Sequence, residues 1–248
     1  MRKTEAGCWI VETPEDIQLF RDTYSPTIYS YSSAVIGIDV ETQPLKPGAK
    51  QPNAMTDTLV GVGISFYANN PGYLTEAPID TYYVLATEAF LAALRQVVAD
   101  KPCYAHNAMF DATVLRRYEI VLGPHIGDPR IIAYLLGEPE AGLKVLLNKF
   151  GFDITEFDAL LAEYGASHIG EVPIEAQADY CGTQDASRVV WLERQMRRDL
   201  IERAPRAFEV YERVELPMVP ILVEMSYHGI PYDREAGRTA LDEAVRIR

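Results

Sequence analysis

The sequence predicts an α/β protein in which helices flank a mixed β-sheet. Three short runs rich in β-branched and apolar residues occupy 34–41, 59–67 and 81–85 in the first half of the chain. Stretches rich in Gly, Pro and Asn separate them, which is typical of strands joined by turns. Later segments place apolar residues at helical spacing and are interleaved with one further short strand at 102–106. This order of strands and helices favours a sheet covered by helical layers.

The first strand carries the first candidate functional residues. Side chains alternate between the two faces of a strand, so Asp39 and Glu41 are expected on one face while Ile38 and Val40 lie on the other. Residues 42–58 are rich in Pro, Gly, Gln and Asn and predict a long loop that leaves the strand beside the two acids. Such a loop could flank a substrate.

Helical periodicity predicts several later helices, two of which carry acidic residues of interest. The helix that follows the short strand places Asp111 one turn beyond Asn107. The last and longest helix carries Tyr180, Cys181 and Asp185 on roughly one side. The expected helices span 87–99 with Thr87 as N-cap, 107–117, 128–136, 142–150, 156–164 and 174–201.

The acidic residues of these separate segments indicate one shared site. A carboxylate that faces the core from inside a helix is costly unless it meets a cation or a partner, so Asp185 is expected to join Asp39, Glu41 and Asp111. Hard cations such as Mg²⁺ take oxygen ligands and leave positions for water and phosphate oxygens. An all-carboxylate site therefore indicates phosphate chemistry, and the sequence is interpreted as that of a nuclease.

Composition sets limits on the partners. The net charge is −13, whereas proteins that grip a nucleic-acid duplex are usually basic. The chain is therefore not expected to clamp a duplex, although metal ions that bridge carboxylates to phosphates can supply positive charge. Three widely spaced cysteines predict reduced thiols. The N-terminus lacks an apolar signal-like region and no stretch has bilayer length, which predicts a soluble, cytoplasmic protein without a membrane partner.

Three blocks of the chain resemble, in this order, the three motifs of the DEDD 3′-5′ exonucleases, which are DnaQ-like proteins with a ribonuclease-H-like fold. The blocks are Ile38-Asp39-Val40-Glu41-Thr42, Ala105-His106-Asn107-Ala108-Met109-Phe110-Asp111 and Asp179-Tyr180-Cys181-Gly182-Thr183-Gln184-Asp185. Residues 127–136 and 142–147 resemble the connecting helices of the proofreading domain of family A DNA polymerases. The resemblance implies a ribonuclease-H-like exonuclease domain over residues 1–200.

The resemblance continues beyond that domain. Residues 210–225 and 228–233 are similar to the helix by which family A polymerases pass from the exonuclease into the polymerase region. Residues 201–248 are therefore expected to form a C-terminal helical extension. Nothing resembles the carboxylates of a polymerase palm, so the polymerase module is expected in a longer form of the chain or on another polypeptide. A bacterium or a phage is the expected source.

The family pattern, carried onto this sequence, implies roles for the four carboxylates. Asp39, Glu41 and Asp185 would hold one Mg²⁺ or Mn²⁺ ion that activates a water. Asp39, with Asp111 acting through water, would hold a second ion that stabilises the leaving 3′ oxygen. The substrate would be a single-stranded or frayed DNA 3′ end, released as 5′ monophosphates. Repulsion among the carboxylates predicts raised pKa values in the metal-free site and loss of turnover when any one is removed.

The tyrosine of the third block departs from the family pattern. In the polymerase-associated subgroup a tyrosine precedes the last aspartate by four residues and hydrogen-bonds the attacking water. Here Cys181 holds that position, and Tyr180 lies five residues before Asp185. One residue turns a side chain by about 100° in an α-helix. Tyr180 would reach the water as a catalytic group only if this turn of the helix were bulged or wound differently.

The resemblance also assigns three residues to substrate binding. Thr42 would donate a hydrogen bond to the 3′ end, Leu45 would lie beside the terminal base, and Asn107 would lie close to the nucleotide.

Three functions stay open for the chain. They are a DNA-editing exonuclease, an RNA-directed exonuclease of the same superfamily, and a domain without catalysis that braces a polymerase. The polymerase-like tail disfavours the second, and the presence of all four acids argues against the third. Motifs for nucleoside triphosphate hydrolysis, serine chemistry and dinucleotide binding do not occur, and the histidines lack the spacing of zinc ligands.

Overall fold

The structure is a computed structural model that describes residues 1–24, 34–45, 51–70, 73–74, 78–123 and 125–246. Its strands are β1 (Arg2–Lys3), β2 (Cys8–Val11), β3 (Val35–Gln43), β4 (Thr58–Tyr67), β5 (Asn69–Asn70), β6 (Tyr73–Leu74), β7 (Asp80–Leu85), β8 (Cys103–Tyr104) and β9 (Ile126–Gly127). Its α-helices are α1 (Pro14–Tyr24), α2 (Glu88–Val98), α3 (Ala108–Arg116), α4 (Pro129–Leu136), α5 (Leu143–Lys149), α6 (Phe157–Tyr164), α7 (Ile174–Gln177), α8 (Ser187–Arg203), α9 (Pro205–Val210), α10 (Leu216–His228) and α11 (Arg234–Arg246). A 3₁₀ turn spans Ile169–Glu171, and π-helical segments span Ala178–Ala186 and Tyr211–Glu215.

The sheet confirms the mixed α/β architecture that the sequence predicts. Within the described ranges, one sheet has the strand order β1-β2-β7-β4-β3-β8-β9. Strand β3 pairs antiparallel with β4 and parallel with β8, and β4 pairs antiparallel with β7. The acid-bearing strand therefore lies inside the sheet, where its backbone is held from both sides.

The two faces of β3 have different neighbours, as the period of two predicts. Ile36, Ile38 and Val40 enter the main hydrophobic core, together with residues of α2, α3 and α10. The opposite face approaches the segment Ala178–Ala186, which we call the π segment. A Cβ atom added at Gly37 would lie 2.0 Å from the carbonyl oxygen of Ala186. The strand can therefore carry only hydrogen at that position beneath the π segment.

Several predicted boundaries differ slightly from the structure. Strand β3 runs two residues further than predicted, to Gln43, so the predicted loop begins later; residues 46–50 of that loop lie outside the described residues. Thr87 occupies the N-cap position of α2, but its side chain makes no capping hydrogen bond. The three cysteines are free and buried, which agrees with the expected reduced thiols. None of the described helices combines the length and the apolar character that crossing a membrane requires.

The predicted long helix is continuous from 174 to 203 but is not α-helical throughout. Its middle portion is the π segment, between α7 and α8. Periodicity over 174–201 predicted the length of the helix and could not show the change of winding, because the apolar pattern of α7 and α8 is compatible with one regular helix. A π-helical insertion shifts every side chain that follows it around the axis.

The C-terminal segment packs on the rest of the chain through α10 and the π-helical turn before it. Tyr211 and Leu216 are buried in a second core with α4, α5 and α8. Val219 and Val223 of α10 are buried in the main core. Helix α11 has no buried residue.

The close contact between sheet and π segment generates a prediction about stability. A Cβ atom at Gly63 would lie 2.6 Å from the carbonyl oxygen of Cys181. We expect Gly63→Ala to lower the free energy of unfolding by about 1–3 kcal/mol, because the π segment must shift away from the sheet. Chemical denaturation measures this change. Gly142→Ala is the control, because Gly142 has φ of −71° and an added Cβ atom would lie 3.8 Å from its nearest neighbour. If Gly63→Ala loses no more free energy of unfolding than Gly142→Ala, the expectation is contradicted.

Candidate metal centre

Strand β3 places the first two carboxylates. Asp39 and Glu41 lie on the face of the strand that meets the π segment, and a β-bulge follows directly between Glu41 and Thr42. Bulges redirect side chains at the end of a ladder. Glu41 is buried, whereas Asp39 is partly exposed. The strand therefore presents one buried and one more accessible carboxyl group side by side.

Helix α3 supplies the third carboxylate. Asp111 is 3% exposed, and its Oδ1 atom accepts a hydrogen bond of 3.0 Å from the backbone N–H of Val40, between Asp39 and Glu41. This bond joins α3 to the acid-bearing strand across 71 residues of sequence. It fixes Asp111 beside the other two acids.

The π segment supplies the fourth carboxylate. Asp185 is buried and forms an ion pair with the Nζ atom of Lys144, at the start of α5. The same ammonium group lies 4.1 Å from the centre of the Tyr180 ring. Lys144 therefore contacts both sequence-predicted residues of the π segment.

Ligand atoms of Asp39, Glu41 and Cys181 lie within 4.8 Å of one another, and electrostatic influence links Asp111 and Asp185 to this group. Although Asp39 as a whole is partly exposed, burial of its carboxyl group, followed by the charge of Asp185, raises the pKa of Asp39 to about 8. Burial raises the pKa of Glu41 well above its ordinary value, and Asp39, Asp185 and Asp111 raise it further. Burial and the charge of Asp39 also raise the pKa of Asp111 well above its ordinary value. Each of the four carboxyl groups therefore influences, or is influenced by, another member of the set.

Asp185 differs from the other three because a cation faces it. Burial raises its pKa, while Lys144 and then Arg188 act in the opposite direction. One ammonium group does not balance four buried carboxylates, so the cluster retains negative charge when its acids are ionised. Carboxylate oxygens are the donors that Mg²⁺ and Mn²⁺ prefer. The residues present fit divalent cations both in charge and in donor chemistry.

The π winding places Tyr180 beside the carboxylates. In an α-helix, residues five apart differ by about 140° around the axis, whereas the i→i+5 pattern of a π-helix brings them one turn apart. The condition under which Tyr180 could face the site is therefore met. Burial raises the pKa of Tyr180, and the charges of Asp185, Glu41 and Asp39 raise it further. Its ring also packs against Phe157, with centroids 5.9 Å apart.

Cys181 occupies the position at which the family pattern has a tyrosine. Its Sγ atom accepts a hydrogen bond of 3.1 Å from the N–H of Gly63 and lies 3.3 Å from Oδ2 of Asp39, to which the thiol donates. Burial raises its pKa well above the ordinary value. The thiol is thus a neutral donor that joins the π segment to the sheet and orients Asp39.

A cavity of about 550 Å³ opens beside Glu41. Glu41 and Thr42 lie on one side of it, and Phe110, Phe157 and His168 also line it. Of the three predicted substrate-binding residues, Thr42 is therefore at the cavity.

The other two predicted substrate-binding residues are not among the described residues that line this cavity. Leu45 is 62% exposed and follows Pro44, which does line it. Asn107 precedes α3 in a left-handed conformation with φ of 64°. These two assignments stay predictions.

Sequence reasoning missed two residues that shape the site. Lys144 carries no local signal, because a single lysine on a short amphipathic helix is usually solvent-exposed. Asp128 is buried, and its carboxylate accepts hydrogen bonds from the N–H groups of Asn107, Ala108 and Arg130. An aspartate before a proline at the start of a helix is a recognisable N-cap of α4. Its hydrogen bonds to Asn107 and Ala108 at the start of α3 join segments about 20 residues apart in the chain, so local sequence does not reveal them.

Comparisons with known proteins give a consistent picture. The 3′-5′ exonuclease family matches residues 21–201, well over half of the chain. DNA polymerase I of Chloroflexus aurantiacus is 31% identical over 216 residues, covering 82% of this chain and 21% of that protein. DNA polymerase I of Synechocystis sp. is 24% identical over 203 residues, covering 79% of this chain and 19% of that protein. The chain thus spans about a fifth of the length of these curated relatives.

Solved structures resemble the fold at low identity. NrnC of Brucella melitensis bound to pGG has a TM-score of 0.58 and 18% identity, covering 90% of this chain and 93% of that one. The catalytic core of RRP6 from Trypanosoma brucei has a TM-score of 0.61 and 13% identity, covering 88% and 55%. The POL domain of Pol1 from M. smegmatis, in complex with DNA primer-template and dNTP, has a TM-score of 0.55 and 18% identity, covering 90% and 33%. These likenesses confirm the predicted ribonuclease-H-like exonuclease fold.

The raised pKa of Asp39 generates a prediction about pH. Between its ordinary value of 3.8 and about 8, the folded state holds a proton that the unfolded state has lost. Stability of the metal-free protein is therefore expected to fall as pH rises through this window. We expect Asp39→Asn to flatten the fall and to raise the melting temperature at neutral pH by about 3 °C or more.

Thermal melts in a chelator across this pH range measure the effect. Asp242→Asn on the exposed helix α11 is the matched control. Equal pH slopes for the wild type and Asp39→Asn would contradict the prediction.

Proposed function

The chain belongs to the 3′-5′ exonuclease family, and from this membership and the geometry of its acids we propose that it removes 3′-terminal nucleotides from DNA as 5′ monophosphates, in the manner of a proofreading domain. One observation carries the proposal: ligand atoms of Asp39 and Glu41 lie within 4.8 Å of each other, Asp111 bonds to the backbone between them, Asp185 is close enough to raise the pKa of both, and Glu41 lines a cavity. A domain that only braced a polymerase would have no need to bury four acids together, because unpaired buried charge costs stability.

The four carboxylates would hold two divalent cations, Mg²⁺ or Mn²⁺. Asp39, Glu41 and Asp185 would hold one, and Asp39 with Asp111 would hold the other. Such ions lower the pKa of a bound water to produce a nucleophile and stabilise the charge on the leaving oxygen. Cys181 would keep Asp39 oriented through its 3.3 Å contact, and the bond from Val40 would keep Asp111 in place.

The cavity beside Glu41 would receive the terminal nucleotide. Its volume of about 550 Å³ lies within the range of small-ligand sites. Phe110 and Phe157 line it, and aromatic side chains can stack on a base of any sequence. Thr42 would donate to the 3′ end. Because the chain carries a net charge of −13, recognition would depend on the metal ions and stacking more than on a basic groove, which favours a single-stranded or frayed end.

Tyr180 would orient the attacking water. The π winding places it within electrostatic range of Asp39, Glu41 and Asp185. Its phenol keeps its proton, since the pKa is raised, so it would act as a hydrogen-bond donor or acceptor and not as a base.

A polymerase module, in the same or another chain, is the partner that we propose. The curated relatives are about four times as long as this chain and are DNA polymerases. The C-terminal segment exposes apolar side chains that include Met225, Leu241 and Val245, and Ile230 is 91% exposed. Exposed apolar groups clustered in one segment are typical of a surface that another body covers.

An RNA-directed nuclease is the second candidate function. One observation favours it: the fold also matches NrnC, which was solved with bound pGG and with bound Mg²⁺. The relatives found by sequence are DNA polymerases, which favours DNA. Parallel assays on a deoxyribo- and a ribo-oligonucleotide of the same sequence distinguish the two.

Asp39→Ala tests the proposed chemistry. Because Asp39 would contact both metal ions, we expect its removal to slow the release of mononucleotides by roughly a thousandfold or more. The assay follows 5′-labelled single-stranded DNA with Mg²⁺ or Mn²⁺, with Asp242→Ala as the control. Shortening at the wild-type rate in Asp39→Ala, or metal-independent shortening, would be incompatible with the proposed centre.

Tyr180→Phe tests the role of the hydroxyl alone. The variant keeps the ring that packs on Phe157 and under Lys144, so we expect kcat to fall about tenfold to hundredfold while KM for the oligonucleotide stays close to the wild type. Tyr164→Phe, at an exposed tyrosine of α6, is the control. If kcat does not change, Tyr180 serves only in packing.

A further inference from the structure

Helix α3, which carries Asp111, is held at both ends by the C-terminal segment 211–227. This segment lies beyond residue 201, where the match to the exonuclease family ends. The N-terminal end of α3 is reached through Tyr211, and its C-terminal end through Glu224 and Tyr227. The sequence resemblance assigns the segment to the passage toward a polymerase, not to the nuclease site.

The N-terminal attachment passes through Asp128. The carboxylate of Asp128 accepts hydrogen bonds from the N–H groups of Asn107 at 3.1 Å and Ala108 at 2.9 Å. These groups have no partner within α3, because the first N–H groups of a helix have no preceding carbonyl to bond. Asn107 has φ of 64°, a left-handed conformation that asparagine adopts more readily than most non-glycine residues. Asp128 therefore determines how α3 begins.

Tyr211 holds Asp128 in turn. Its hydroxyl accepts a hydrogen bond of 3.0 Å from the N–H of Asp128 and lies 3.1 Å from Oε1 of Glu193, to which it donates. Tyr211 and Glu193 are fully buried, and Arg197 pairs with the same Glu193 oxygen at 2.8 Å. The buried ion pair of Glu193 and Arg197 on α8 thus holds the hydroxyl of Tyr211 in place. The hydroxyl in turn holds the backbone of Asp128 through the hydrogen bond that it accepts.

The C-terminal attachment is an ion pair and a ring contact. The Nε atom of Arg116, in the last turn of α3, lies 2.5 Å from Oε1 of Glu224 on α10. Its guanidinium group lies 4.3 Å from the centre of the Tyr227 ring. Between the two attachments, Asp111 bonds to the backbone of β3.

We infer that Tyr211 is a positioning residue for the metal centre, acting through Asp128 to hold α3 so that Asp111 meets the other carboxylates. The inference rests on the proposed function, since it concerns the same metal site. By this inference, Tyr211 supports the nuclease site although it lies in the segment that resembles the passage toward a polymerase. The residues that the nuclease needs therefore extend beyond residue 201.

Tyr211→Phe tests the inference, because it removes the hydroxyl and keeps the ring. The readout that does not depend on turnover is Mn²⁺ affinity, measured by calorimetry without substrate on the full chain. We expect about tenfold weaker binding, the lower end of the loss seen when an outer partner of a metal ligand is removed. Faster amide hydrogen exchange at Ala108 is the accompanying structural signature. Because Tyr211 acts through Asp128, the double variant Tyr211→Phe/Asp128→Asn should bind Mn²⁺ no more weakly than Asp128→Asn alone.

Tyr67→Phe is the matched control. Tyr67 is also buried, and its hydroxyl also bonds to backbone of another element, at Ser187. It should lose thermal stability without loss of Mn²⁺ affinity. Wild-type affinity in Tyr211→Phe, or an equal loss in Tyr67→Phe, overturns the inference. A wild-type protein that binds no Mn²⁺ refutes the proposed metal site instead, so the two failures can be told apart.

Discussion

The close approach of four carboxyl groups, three of them on buried residues, is the constraint on which the rest of this structure depends. Carboxylates removed from water repel one another and raise each other's pKa, as they do for Asp39, Glu41 and Asp111. A fold that keeps such groups together must hold each one firmly. In this chain three elements hold them: β3 lies inside the sheet, α3 bonds to β3 through Asp111, and the π segment packs directly on the sheet.

The contact between the π segment and the sheet is possible because glycines line it. Gly37 and Gly63 leave no room for a Cβ atom beneath Ala186 and Cys181. This proximity lets Cys181 bond to both Gly63 and Asp39. Where the family pattern has a tyrosine, this chain has a thiol that bonds to Asp39, and the π winding brings Tyr180 close enough for Asp185, Glu41 and Asp39 to raise its pKa. The cysteine at position 181 and the π winding of the helix thus occur in the same nine-residue segment.

Lys144 and Tyr211 lie outside the set of carboxylates but contact residues that belong to the candidate centre or adjoin it. Lys144 reduces the net charge at Asp185 and lies against Tyr180. Tyr211 belongs to a segment outside the matched family region, yet it is buried against Asp128 and Glu193. A boundary drawn from sequence similarity therefore need not coincide with the boundary of the contacts that support a site.

The sequence by itself determined the class of fold, the strands and helices that carry the acids, and the face on which Asp39 and Glu41 lie, because these follow from periods of two and 3.6 residues that are local properties of the chain. It also indicated Asp39, Glu41, Asp111 and Asp185 as candidate ligands, and in the structure each of these carboxyl groups influences the pKa of another or is influenced by it. It did not predict β1, β2 and α1; the two strands are only two and four residues long and show too little periodicity to be recognised. Only the tertiary structure decided the winding of the π segment, the pairing of Lys144 with Asp185 across 41 residues, and the bond from Asp128 to Tyr211 across 83. Such contacts depend on how distant segments pack, and no local pattern of residue types specifies which lysine or tyrosine will meet a given carboxylate.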